Sequence, residues 1–290
     1  MNYPEKASFL ASLPAAWLRV TGPDAPGFLQ GQFSNDLRAA GEGASVYGLW
    51  LDHKGRIRAD GFVLPRGDGF WIASSTCPGE QIRRHLEASI VADEVWVEDR
   101  TAGWAGVSLV GAGTGAWLAS EPRPGVVFPG RRSRSENWEW VFPAEASDAV
   151  RASLAGAREE SAAAAEFRRI SEGIPSVPAD AGPADLPQEA GLEADAVSTD
   201  KGCYLGQEVM ARLKTRGRVR RRLARVAGPG DPPAGRAPLW QDGREVGELR
   251  TSAASGSGGF VGLAMLTLAG LRTDAPLSIG PEGEPSLRLA

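Results

Sequence analysis

The chain has 290 residues, 42% of them hydrophobic, enough to bury a core in one large domain or in two to three smaller ones. Its 37 glycines and 21 prolines raise the turn content without reaching the share of a low-complexity disordered chain. A net charge of −4 argues against a protein that coats nucleic acid by bulk charge.

Two cysteines far apart, Cys77 and Cys203, argue against a disulfide scaffold. With only two isolated histidines, His53 and His85, and no Cys-x-x-Cys spacing, one chain cannot furnish a four-thiolate iron–sulfur site or a structural zinc site, so no metal is assigned. No apolar run approaches bilayer length, and the N-terminus lacks the positive start and cleavage site of a secretion signal. The expected compartment is the cytoplasm, with no membrane partner.

Residues 15–20 read as a strand, followed by a Thr21-Gly22-Pro23-Asp24 turn with Asp24 as helix cap and Phe28, Leu29 and Phe33 facing a core. Runs at 46–51, 57–64 and 70–74 are strands, joined by turns at His53-Lys54-Gly55 and Arg66-Gly67-Asp68-Gly69. Across 78–90, Ile82, Leu86 and Ile90 recur every fourth residue, which predicts a helix lying on a sheet. Strands at 95–97 and 107–110, a helix at 114–120 and strands at 126–128 and 138–142 follow. Arg131, Arg132 and Arg134 lie in the loop between the last two strands and read as a solvated loop.

Helices are predicted at 146–154 and 159–172, the second stopped by Gly173 and Pro175. Residues 174–200 have no period and carry four prolines; a segment this long inside a compact protein is usually functional, and it leads straight into Lys201. A helix over 207–214 opens the densest positive run, Arg212 to Arg225. Short strands at 239–240, 245–250, 260–268, 276–279 and 286–289 then predict a small all-β unit, barrel-like if it closes.

The chemistry concentrates in Lys201-Gly202-Cys203-Tyr204-Leu205-Gly206-Gln207-Glu208. A neighbouring ammonium and a following helix both favour thiolate over thiol at Cys203, and thiolate is the nucleophile and the metal ligand. A lone cysteine is otherwise more often a small buried hydrophobe. The octet, with Val209, Ala211, Arg212 and the Lys214-Thr215-Arg216-Gly217 run, resembles the signature of the YgfZ-type folate-binding proteins, within the superfamily of the glycine-cleavage T-protein, an aminomethyltransferase. The blocks GPDAPGFLQGQFSNDL and LDHKGRIRAD are similar to the superfamily's first two blocks, and RRISEGIP and LPQEAGLE to later ones. Here Ser171 stands at the usual glutamate position, Glu172 at the usual alanine, Ala165 where some relatives carry tryptophan, and Gly191 for an asparagine.

The resemblance implies an α+β fold: a T-protein-like folate-binding body of antiparallel sheets with helices over 1–218, in two interleaved subdomains with the signature loop and helix at 201–214, plus a C-terminal β-barrel over 219–290. It implies tetrahydrofolate or a one-carbon derivative as cofactor, and iron–sulfur enzymes or assembly proteins as partners. Cys203 is the expected reactive residue within the signature Lys201, Gly202, Tyr204, Gly206, Gln207 and Glu208. Arg212, Lys214 and Arg216 are expected to meet the folate's glutamate tail, because guanidinium pairs with carboxylate in a two-bond fork. Trp17 matches a family folate-contact position, although a strand tryptophan equally suits a core. The expected role is an accessory one in iron–sulfur cluster assembly or repair. A folate-dependent one-carbon transferase is the alternative, drawing on Asp36, Asp52 or Asp60, and a factor in tRNA modification is a further one. Direct tRNA binding is not favoured, because the basic run has no interleaved aromatics.

Overall fold

The computed structural model describes residues 3–38, 40–256 and 258–290, with the backbone alone at Arg216. The first part of the chain runs β1 (Ser8–Ser12), β2 (Ala16–Thr21), α1 (Ala25–Gln32), β3 (Val46–Leu51), β4 (Ile57–Arg66), β5 (Gly69–Ser74), α2 (Gly79–Glu87) and β6 (Trp96–Asp99). The second runs β7 (Trp104–Val110), α3 (Thr114–Ala119), β8 (Val126–Pro129), β9 (Asn137–Pro143), α4 (Ser147–Ser153), β10 (Arg158–Glu159), α5 (Ala162–Ser171), α6 (Glu193–Ala196) and α7 (Gln207–Arg216). The third comprises β11 (Arg221–Pro229), β12 (Ala237–Gln241), β13 (Arg244–Ser255), β14 (Gly259–Thr267), β15 (Ser278–Ile279) and β16 (Arg288–Leu289).

Three sheets result. One has the order β3-β4-β5-β2-β6, antiparallel throughout, with α1 and α2 packed on it through Leu29, Phe33, Ile82 and Leu86. α2 is amphipathic as its spacing predicts: Ile82 and Leu86 are buried, while Arg83 and Arg84 pair with Glu80 on the outer side. A second sheet, β10-β1-β7-β9-β8, carries α3 and α4 on Trp117, Trp140 and Val150. Trp17, Leu64, Phe128 and Val141 form the core that joins these two sheets. The third sheet, β15-β12-β13-β14-β11-β16, is antiparallel and curls until its edges meet at a single bridge, Leu277 to Leu287. The expected α+β body of sheets with helices and a C-terminal curled β sheet is what the chain forms, with one parallel pair, β1 with β10, in the otherwise antiparallel second sheet.

Three local features differ from the sequence reading. Asp24 does not cap α1 with its side chain; its carboxylate accepts the Glu94 backbone N–H at 2.8 Å, pinning the helix start to the chain ahead of β6. β1 and β10 were not anticipated. The arginine-rich start of the tail is a strand, β11, in which Arg221 is turned onto Glu189 at 2.8 Å and Asp185 at 3.1 Å.

The β3–β4 turn and the start of α7 lie some 150 residues apart in sequence yet touch through two glycines. A Cβ on Gly55 would come within 2.8 Å of Met210 and 2.9 Å of Val209, and one on Gly206 within 2.7 Å of the Asp52 carbonyl. Both have positive φ, 72° and 86°, so the contact needs glycine twice over.

Candidate functional site

The signature loop is held from below. Lys201 Nζ donates to the carbonyls of Gln30 at 2.7 Å, Phe33 at 2.6 Å and Asn35 at 2.9 Å, at the C-terminal end of α1. These include carbonyls that a helix end leaves without partners, and a cation there also meets the negative end of the helix dipole. Leu205 N–H donates to the Gly31 carbonyl at 3.0 Å, and Ser198 N–H to that of Ser34, also at 3.0 Å. Burial pushes the Lys201 pKa down to about 8. The ammonium that the sequence suggested as activator of the thiol is therefore committed to three backbone oxygens.

Cys203 is exposed on this loop, and Cys77 is buried in the first sheet's core with its thiol pushed up to about 12 by desolvation. Gln207 ties the loop to the helix, its side-chain oxygen accepting from Tyr204 N–H at 3.2 Å while its own N–H donates to the Tyr204 carbonyl at 3.2 Å. Lys201, Tyr204, Gln207, Glu208 and Lys214 all line one cavity of about 1560 Å³ between α7, the segment around α6 and the rim of the third sheet. Gly202, Cys203, Gly206 and Arg212 are not on its wall. The Arg216 side chain lies outside the described residues. Trp17 lines neither this cavity nor the next: it is fully buried, with its ring centroid 4.9 Å from that of Trp71 and 5.1 Å from that of Trp104.

A second cavity, about 330 Å³, lies in the body and shares no wall residue with the first. Tyr47, Asp60, Ser74, Arg131, Glu166 and Arg169 line it. Tyr47 donates its hydroxyl to Asp60 at 2.9 Å, and Ser74 Oγ lies 3.4 Å from the other carboxyl oxygen. Burial raises the Asp60 pKa to about 6, against the pull of Tyr47, Arg131 and Ser74, and raises that of Tyr47 well above its ordinary value. The Arg131 guanidinium sits 4.1 Å above the Tyr47 ring and pairs with Asp195 of α6 at 3.1 Å. Such a group is a carboxyl poised to exchange a proton near neutral pH beside a fixed cation.

Sequence reasoning gave Asp60 no place among three aspartates, left Arg131 and Arg132 in a solvated loop, and passed over Tyr47 and Arg169. Of the three, Asp36 pairs with Arg38, which holds its carboxyl well below the usual range. Asp52 caps its own turn, accepting from Lys54 and Arg56 N–H and from Arg58. The signal for Asp60 was a lone acid inside the apolar run Ile57 to Leu64. At the departures from the family pattern, Ser171 Oγ is buried without a hydrogen-bond partner. Glu172 is turned onto Ser133 Oγ and Arg134 N–H. Neither lines the cavity, whereas Ala165 and, one residue on, Glu166 do.

Residues 14–121 match the model of the GCVT N-terminal domain, and residues 220–289 that of the CAF17 C-terminal beta-barrel domain. The tRNA-modifying protein YgfZ of Vibrio vulnificus (strain YJ016) is 30% identical over 223 residues, 75% of this chain and 69% of that protein. The chain belongs to the YgfZ family. This YgfZ-family chain is also 26% identical over 230 residues to the mitochondrial iron-sulfur cluster assembly factor IBA57 homolog of Pyricularia oryzae, covering 75% of this chain and 56% of the homolog. The crystal structure of glycine cleavage system aminomethyltransferase T from Bartonella henselae superposes with a TM-score of 0.77 at 18% identity, over 98% of this chain and 84% of that one, which establishes the shared fold. Both family models stop short of the signature loop and α7. Among the described residues, no group of three or more His, Cys, Asp and Glu side chains is placed to hold a metal ion, and no helix is long and apolar enough to cross a membrane.

Proposed function

We propose that this protein is a cytoplasmic, tetrahydrofolate-binding accessory factor for iron–sulfur cluster assembly or repair, acting through Cys203 on client proteins. The observation that carries the reading is the body cavity around Asp60. Its volume is at the small end of the ~300–1,000 Å³ usual for ligand sites and suits a bicyclic pterin ring. Its donor set fits as well: the carboxyl groups of Asp60 and Glu166 accept from ring N–H and amino groups, and the Tyr47 ring and the Arg131 guanidinium offer flat faces. Tetrahydrofolate, when bound, supplies a carrier of one-carbon units. Asp60 would hold or release a proton at its carboxyl, and Arg131 and Arg132 would meet the ligand's carboxylates. Of the cations expected at the glutamate tail, Lys214 lines the other cavity. Two free cysteines suit a reducing compartment.

Tryptophan fluorescence of the full chain titrated with tetrahydrofolate tests this. Saturable quenching should appear, weakened at least tenfold in Arg131→Ala, and the absence of saturable quenching in the wild type would sink the cofactor. Cys203→Ser should bind folate unchanged and fail to complement a strain lacking the protein; full complementation removes the thiol from the reading. One observation favours a second reading, a one-carbon transferase: the Asp60 carboxyl titrates at about 6 inside the cavity. Methylene-tetrahydrofolate formation from tetrahydrofolate and an aminomethyl-lipoyl donor, lost in Asp60→Asn, would establish it.

A further inference from the structure

The larger cavity is poorly matched to a single small molecule. At about 1560 Å³ it exceeds the ~300–1,000 Å³ of typical small-molecule sites. Its wall has an apolar part, with Met210 and Leu213 from α7, Val197 from the end of α6 and Leu268 from beyond β14. Leu268 is 42% exposed, one of few large hydrophobic side chains left in solvent. Its rim is cationic, with Lys214 on α7, Arg218 and Arg220 on the connection, and Arg222 on β11.

Among the described residues, no hydrogen bond or ion pair holds the side chain of Lys214, Arg218, Arg220 or Arg222. Their neighbours are held. Arg221 is paired with Glu189 and Asp185, and Arg225 donates to the Ser171 and Ala290 carbonyls. Strand alternation accounts for the split at β11, since successive side chains point to opposite faces. Like charges left unneutralised around one opening repel each other, and a partner of opposite sign relieves the repulsion on binding.

We propose that this cavity docks a short acidic amphipathic segment of a client protein, its apolar side on Met210, Leu213 and Leu268 and its carboxylates against Lys214, Arg218, Arg220 and Arg222. Grooves of this kind recognise amphipathic segments by apolar anchors at helical spacing. A nucleic-acid backbone is the poorer match. Its wall offers one aromatic ring, Tyr204, only 9% exposed, so bases find no stacking platform, while Glu193 and Glu208, which also line it, leave the four cations in excess. Lys201 and Tyr204 are on the wall and Cys203 lies between them in sequence, exposed, so docking here brings a client to the thiol. The inference names the partner class of the accessory role and rests on that reading. Its test needs no folate, so a failed folate titration and a failed docking experiment are separate results.

The test is fluorescence anisotropy of the full chain with a labelled synthetic peptide bearing leucines at i, i+3, i+4 and i+7 and glutamates elsewhere. Controls are the same composition scrambled, the glutamates replaced by lysines, oligoglutamate, a folate pentaglutamate and bulk tRNA. Saturable binding is expected for the amphipathic acidic peptide, at least tenfold weaker with Lys214→Glu plus Arg218→Glu and with Leu268→Glu taken separately, and with hydrogen-exchange protection over residues 207–222 and 267–269. All three residues are exposed, and a denaturation midpoint confirms that each variant folds; Arg222→Ala supplies a milder charge variant. No binding, tighter binding of oligoglutamate, the folate pentaglutamate or tRNA at the same face, or protection elsewhere would each overturn the proposal.

Discussion

The two cavities are built on opposite electrostatic plans. Around the body cavity every buried charge has been given a partner: Arg169 holds Glu166 and Asp180, Arg132 holds Glu139, Tyr47 donates to Asp60, and Arg131 reaches across to Asp195. Around the α7 cavity Lys201 is held by backbone carbonyls, whereas Lys214, Arg218, Arg220 and Arg222 face solvent with no partner among the described residues. Buried charge is tolerated only when paired, because desolvation otherwise costs several kcal/mol per ion. Exposed charge carries no such requirement. The first arrangement is thus inseparable from the fold, and the second is free to serve a partner.

The largest expected effect breaks the paired plan at its centre. Arg169 donates to Asp180 at 2.6 Å, to the Ile174 carbonyl at 2.5 Å and to Glu166 at 2.5 Å, and Asp180 is 0% exposed, also accepting from Thr251 of β13. Arg169 therefore joins α5, the loop after it and the third sheet. Arg169→Met leaves Asp180 buried without its cation and should lose about 3–5 kcal/mol, read as a fall in the denaturant midpoint. A loss under about 1 kcal/mol would show that the pairing is dispensable and that the contrast between the cavities is superficial.

Asp60 tests the same plan with the opposite sign. Its folded-state pKa of about 6 stands above the ordinary 3.8, so the folded chain binds this proton more tightly than the unfolded one. The stability it contributes is full below about pH 4 and is lost as pH rises through 6, by roughly 3 kcal/mol at most. Asp60→Asn should therefore be more stable than wild type at pH 7 and show a flatter profile between pH 4 and 7. Stability held down for a group in a cavity is what a working site costs. Equal pH profiles for the two proteins would mean that the carboxyl is ionised throughout.

Sequence patterns and the contacts that build the cavities were legible to different degrees. Strands β3 to β5, helix α2 and the alternation in β13 and β14 carry their periodicity in adjacent residues, so one sequence suffices to place them. Asp60, Tyr47 and Arg131 meet only because β3, β4 and the β8–β9 connection come from two different sheets, and no local spacing encodes that. The KGCYLGQE octet announced itself as a unit, but the job of its lysine did not. Chain neighbours suggested Cys203, whereas the fold gives Lys201 to the end of α1, about 170 residues earlier. β11 was hidden because its arginines outweigh Leu223 and Val226, the residues that make it a strand.

Lys201 supplies the third prediction, intermediate in size. Lys201→Met leaves the Gln30, Phe33 and Asn35 carbonyls without their shared donor, and the loss should be about 2 kcal/mol, since water reaches part of this half-buried place. Faster amide exchange across residues 200–206 should accompany it. If the lysine acted on the thiol instead, the variant would change the pH dependence of Cys203 alkylation with little loss of stability.

The smallest expected effect is the most discriminating. Reversing two of the charges around the α7 cavity together, Lys214→Glu with Arg218→Glu, should change stability by no more than about 0.5 kcal/mol, because neither side chain has a partner among the described residues to lose. Relief of repulsion among Arg220, Arg222 and their neighbours is offset by placing an anion in the last turn of α7, and salt should erase whatever shift is left. Arg221→Met is the internal control: one position from Arg222 in the same strand, it leaves Asp185 and Glu189 buried with one cation fewer and should cost several-fold more. Were the double reversal to cost as much as Arg221→Met, the rim cations would belong to the fold's own charge network, and nothing would be left over for a client to bind.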